Sequence, residues 1–136
     1  MELGEVKDLV ILRLSFFNIT DIKDNQLDYL IFKALNSINN ITNQVYTAKT
    51  FPSSILEIWV DKAVGEYIKL LKTTNSLPSD YDLSLVATQI KEGDTTISFG
   101  SSTESEDAQN LNSAIFYLMN GRNSELVRYR RLAPWK

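Results

Sequence analysis

Apolar positions recur at three- and four-residue steps along most of this chain, and they mark out helices. Leu27, Leu30, Ile31, Ala34, Leu35, Ile38 and Ile41 keep that spacing, with Asp28, Lys33, Asn36 and Asn40 between them. This predicts an amphipathic helix with one buried stripe. Ahead of it, Val6, Leu9, Val10, Arg13 and Phe17 share a helical face, so Glu5 to Phe17 reads as a helix, although the β-branched DLVILRL also suits a strand. Asn18 to Lys23 connects the two, with Asp21 or Asp24 available to cap the second helix. The chain restarts at Phe51-Pro52-Ser53-Ser54, with proline where a first turn tolerates it. Ile55 to Leu71 is then apolar on more than one face, through Ile55, Leu56, Ile58, Trp59, Val60, Ala63, Val64, Tyr67, Ile68, Leu70 and Leu71. A helix this apolar belongs at the centre, covered by several neighbours. Gly65 within it costs about 1 kcal/mol of helix propensity and permits a close crossing with another helix.

After the polar connection Lys72 to Asp82 the period changes. Val86, Thr88 and Ile90 alternate with polar or small residues, as do Thr95, Ile97 and Phe99, with Gly93 between the runs. This predicts a β-hairpin over 84–100. A two-residue turn, Glu92-Gly93 or Gly93-Asp94, puts both alternating sets on one face, whereas a three-residue turn splits them. Helical spacing returns in Ala108, Leu111, Ala114, Ile115, Leu118 and Met119, after a capping box of Thr103 with Glu106. Asn120-Gly121 ends or interrupts that helix, and a shorter piece, Ser124 to Leu132, runs to Ala133-Pro134. The fold class expected is mainly α with a β-hairpin. It is a small bundle of about four helices with the hairpin between the third and fourth, organised as a body over 1–127 and a C-terminal arm over 128–136.

The chain has 136 residues, enough for one domain with its own core. No apolar run approaches the ~20 residues that span a bilayer, and MELGEVKD carries acid where a secretory signal carries base. No membrane association is expected. Cysteine and histidine are both absent. This removes disulfides, thiolate ligands, the commonest zinc ligand and the commonest general base near neutral pH. A catalyst would have to rely on carboxylates, lysine, serine or tyrosine. Asp21, Asp24 and Asp28 lack the glycine and closing glutamate of a calcium loop and suit the start of a helix. Glu104, Glu106 and Asp107 read the same way, and Asp80 and Asp82 around Tyr81 show no partner that would tune an acid–base pair. Glycine-rich phosphate loops, GxSxG and HExxH are all missing. Tyr67, Trp59 and Phe116 are expected in the core. No catalytic residue, metal or cofactor is expected, and the chain reads as a non-enzyme.

What stands out is the ending, SELVRYRRLAPWK. Arg128, Arg130 and Arg131 suit the negative pole of a helix end, but that does not explain Tyr129 and Trp135, types common at interface centres. Basic and aromatic residues together also hold single-stranded nucleic acid. Against that stand five arginines in all and a net charge of −3, with a pI near 4.9. Docking on a partner, finishing a helix and binding nucleic acid all remain open on these residues.

Two strings, IKEGDTTISFG and ELVRYRRLAPWK, together with the order of segments, give the chain a resemblance to a known family. From Leu3 onward it resembles the small head–tail connector proteins of long-tailed bacteriophages, also called adaptors or head-completion proteins. Ala133-Pro134 departs from the family, standing where its basic-hydrophobic string runs directly into tryptophan. The resemblance implies a structural virion protein assembled in the host cytoplasm. It implies a homo-oligomeric ring, usually of about twelve subunits, between the capsid portal protein and a tail-side connector or stopper protein. DNA would pass through the ring without specific binding. On this reading Arg128, Tyr129, Arg130, Arg131, Leu132 and Trp135 dock on the portal. Lys91, Glu92, Gly93 and Asp94 at the hairpin tip touch a neighbouring subunit or the tail side. The alternative is a small nucleic-acid-binding protein that uses the same basic-aromatic tail.

Overall fold

A computed structural model describes residues 2–84, 86 and 103–131, with side chains of the last helix described from Leu111 onward. Among the described residues the long α-helices are α1 (Leu3–Ser15), α2 (Asp24–Thr42), α3 (Leu56–Thr73) and α4 (Thr103–Asn120). A 3₁₀ turn, Ser53–Ile55, leads into α3, and a longer 3₁₀ segment, Asn123–Tyr129, comes after α4.

The central place falls to α3, which packs against α1, α2 and α4. Its apolar breadth requires this, since Ile58, Trp59, Val60, Ala63, Val64, Tyr67, Ile68 and Leu71 are all buried. Both buried aromatics satisfy their polar atoms across the bundle. The Trp59 indole N–H donates to the Ile31 carbonyl of α2 at 3.0 Å. The Tyr67 hydroxyl accepts from the Lys23 amide at 3.1 Å and donates to the Asp21 carbonyl at 3.4 Å, fixing the connection into α2. Phe51 packs on Trp59, ring centroids 4.8 Å apart, and Tyr46 meets Phe51 edge-on at 5.5 Å. Gly65 lies at the α3–α4 crossing: a Cβ there would stand 2.7 Å from Met119 Cγ and 3.0 Å from Leu118 Cβ. The expected close crossing is present.

The stripe of α2 is buried as expected from Leu27 to Ile38, with Ile41 only partly covered and Thr42 buried beyond it. In α1 the buried face is Val6, Val10 and Leu14, continued by Phe17, while Leu9 is exposed. Leu9 and Leu14 both suit helical spacing, and the direction from which α3 approaches selects Leu14. Neither Asp21 nor Asp24 caps α2: its N-cap is Lys23, with no side-chain bond. Asp24 instead sits in the first turn, and Lys7 of α1 lies 3.6 Å from it and 3.0 Å from Asp28. Phe116, expected in the core, is exposed, because α4 turns Leu111, Ala114, Ile115 and Leu118 toward α3 instead.

No strand occurs among the described residues. Ser84 and Val86, placed at the start of the expected hairpin, are helical, with the Val86 amide bonded to the Leu83 carbonyl at 3.0 Å and its side chain buried. Asp82 accepts the Ser84 amide at 2.9 Å, and that bond draws its carboxyl below the ordinary range. A side chain acting as a cap favours a helical turn over an extended start. The rest of the hairpin, including Lys91, Glu92, Gly93 and Asp94, lies outside the described residues.

Candidate docking segment

After α4 the chain must turn back onto the body, and glycine makes this possible. The Gly121 amide bonds to the Tyr117 carbonyl at 2.8 Å. A Cβ at this position would stand 2.7 Å from that same carbonyl oxygen, so any other residue clashes with the helix it ends.

A cluster of charged side chains then holds the turn. Lys62 of α3, itself buried, donates to the Met119 carbonyl at 2.5 Å and to Asn123 Oδ1 at 2.6 Å. A cation at the last carbonyls of α4 meets the negative pole of that helix. Burial pushes the Lys62 ammonium down to about 8, against the opposing pull of the Glu66 carboxylate. Its neighbour Asp61, also buried, pairs with Arg13 Nε at 3.2 Å and faces Arg122 Nη1 at 3.9 Å. Burial raises the Asp61 carboxyl despite both guanidiniums. Arg122 also grips Glu125 with two bonds, Nε to Oε2 at 2.7 Å and Nη2 to Oε1 at 2.9 Å. Thus α1, α3 and the turn after α4 share one ionic network.

Beyond it, Leu126 is fully buried and pins the 3₁₀ segment. The chain then lies along the end of α2. Gln44 Nε2 donates to the Tyr129 carbonyl at 2.9 Å, the Arg131 amide donates to the Thr42 carbonyl at 2.8 Å, and Asn43 Nδ2 donates to the Arg131 carbonyl at 3.1 Å. The Tyr129 ring packs on the core, and its hydroxyl bonds to Ser54 Oγ. The side chains of Arg128, Arg130 and Arg131 are exposed. Four of the six residues expected to dock therefore stand together on the body, three facing outward and Tyr129 anchoring them. Leu132 and Trp135 lie outside the described residues.

Sequence reasoning did not find Lys62, Asp61, Arg13 and Arg122 as a group. Their only local signal is two charges, Asp61-Lys62, inside an otherwise apolar run. Asp80 and Asp82 do not form a pair: the Asp80 carbonyl accepts from Asn18 Nδ2 at 3.0 Å, and Asp82 caps its own turn. Among the described residues no group of three or more His, Cys, Asp or Glu could hold a metal ion. No described helix is long and apolar enough to cross a membrane. A second exposed feature lies along α1 and its C-cap, where Leu9, Leu12 and Phe16 border a groove against Leu56 and Val60 of α3. No protein-family model matches the chain, and neither a curated protein nor a solved structure is similar to it.

Proposed function

We propose that this protein is a structural docking protein of a phage head–tail junction, forming a ring of subunits beneath the portal. The observation that carries this reading is the basic segment Arg128–Arg131, held on the body by its backbone and by Tyr129 while its arginine side chains project outward. Backbone anchoring leaves the guanidiniums available to a partner, and arginine is the residue type best suited to planar, desolvated ion pairs at an interface. The exposed Leu9, Leu12 and Phe16 supply an apolar face of the kind that subunit contacts bury. Residues 91–94 would meet a neighbouring copy or the tail-side protein, and the ring would extend the DNA channel. The net charge of −3 suits a wall that does not grip passing phosphates.

The test is negative-stain imaging of purified protein with portal, using the native chain and a variant with Arg128, Arg130 and Arg131 all changed to Gln. The native chain is expected to form rings on the portal, and the variant to remain folded but unattached. Attachment by the variant would overturn the reading. Salt-sensitive DNA binding that disappears in the variant, without portal attachment by either protein, would establish the nucleic-acid alternative instead.

A further inference from the structure

We propose that the cleft between the start of α3 and the 3₁₀ segment is a carboxylate-binding site that takes an acidic peptide segment of a partner protein. The cleft has a volume of about 520 Å³ and is lined by Ser54, Ser124, Glu125, Arg128 and Tyr129 together with the apolar Ile55 and Val127. That volume holds a few side chains of an extended peptide.

The charges decide which peptide fits. Glu125 lines the cleft, yet both its oxygens accept from Arg122, and that pairing holds its carboxyl below the ordinary range. Its negative charge is therefore largely answered outside the cleft. Arg128 is exposed and forms no ion pair within 4 Å among the described residues; its charge also acts on Glu125, but with that carboxylate bonded to Arg122 the Arg128 donors stay open to a ligand. A guanidinium with open donor sites matches a carboxylate with two parallel bonds. Hydroxyls complete the donor set. Ser54 and Tyr129 bond to each other, which uses one hydrogen and leaves the other's to donate outward, and Ser124 adds a third hydroxyl. Val127, exposed beside these donors, offers contact to an aliphatic side chain next to the acid.

Nucleic acid fits the cleft less well. A single lining cation, Arg128, beside the Glu125 carboxylate gives a polyanion little to hold, since affinity for phosphates grows with the number of cations engaged.

This inference rests on reading Arg128–Arg131 as a docking surface, and its test needs no portal. Portal attachment therefore stands or falls separately. The uniformly labelled full chain is titrated with a blocked peptide of alternating glutamate and leucine and followed by amide chemical shifts. Parallel titrations use the glutamine–leucine peptide, inorganic phosphate and a single-stranded DNA oligonucleotide. Saturable shifts are expected at Ser54, Ile55 and Ser124 to Tyr129 with the glutamate peptide, weakened at least about tenfold by Arg128→Gln or by the glutamine peptide. Ser124→Phe, which adds bulk to the cleft wall and leaves the arginine in the sequence, is expected to abolish them. The proposal is overturned if those amides stay still at millimolar peptide or if the glutamine peptide binds equally. It is also overturned if either variant keeps native affinity, or if phosphate or DNA binds more tightly than the glutamate peptide.

Discussion

Lys62 shows what a single side chain contributes here. It is a buried cation closing the end of α4 and the turn beyond it, and burial holds its pKa at about 8 instead of the ordinary 10.5. Between those values the unfolded chain carries a proton that the folded chain has lost. Stability therefore rises with pH across this window, and the burial penalty is complete below pH 8. The rise is expected to be about 1–2 kcal/mol after allowance for solvent screening, read from urea unfolding at pH 7.5 and 10.5. Lys62→Met should flatten the curve relative to the native chain, and an unchanged slope would assign the titration elsewhere. Asp61→Asn removes the charge that bonds Arg13 and faces Arg122, and is expected to cost about 1–3 kcal/mol through the loss of that charge-assisted contact. Neither effect was legible in the sequence. Asp61-Lys62 interrupts an apolar run, but the partners that satisfy the pair come from α1 and the turn after α4, and spacing along one helix carries no trace of them.

Each of the first three helices closes on an asparagine with a left-handed backbone: Asn18 (φ 64°), Asn43 (φ 55°) and Asn75 (φ 55°). Behind each, the next amide reaches back to a carbonyl of the last turn, Ile19 to Leu14, Gln44 to Asn39 and Ser76 to Leu71. This is the Schellman closure, which glycine enters without a Cβ penalty. The three sites differ in what the side chain does besides. Asn18 donates to Asp80 and Asn43 to Arg131, whereas Asn75 makes no side-chain bond among the described residues. Asn75→Gly is therefore expected to be neutral or stabilising by a few tenths of a kcal/mol. Asn18→Gly and Asn43→Gly should each cost about 1 kcal/mol, as measured by chemical denaturation. At the α3–α4 crossing, Gly65→Val is expected to cost more than about 2 kcal/mol, because the near atoms include the Met119 backbone nitrogen at 3.2 Å, which cannot swing aside. The crossing itself was legible, since a glycine in a helix apolar all round has few other reasons to be there. The asparagine closures were legible in principle, each standing just past the last turn of an apolar-periodic run. The choice of Leu14 over Leu9, and the exposure of Phe116, were not: both depend on the direction from which another helix approaches.

For the molecule as a whole, helical order was legible from periodicity, while the attachment of the C-terminal segment to α2 was not, because its bonds, two of them from side chains and one between backbones, join groups nearly ninety positions apart. That attachment changes what truncation should do. Ending the chain after Arg131 keeps all of these bonds and serves as the reference for a shorter truncation. Ending it after Val127 removes the bonds at Thr42, Asn43, Gln44 and Ser54, and should cost about 2–3 kcal/mol with helix content preserved in far-ultraviolet circular dichroism. Equal stability of the two truncations would mean that these bonds hold nothing. The same joint determines where a mechanical load travels. A partner gripping the chain beyond Arg131 pulls first on the final carbonyl of α2, and only through that helix on the core. The bonds at Thr42, Asn43 and Gln44 lie within three consecutive residues, so they resist tension together and shield the glycine turn after α4 from the strain.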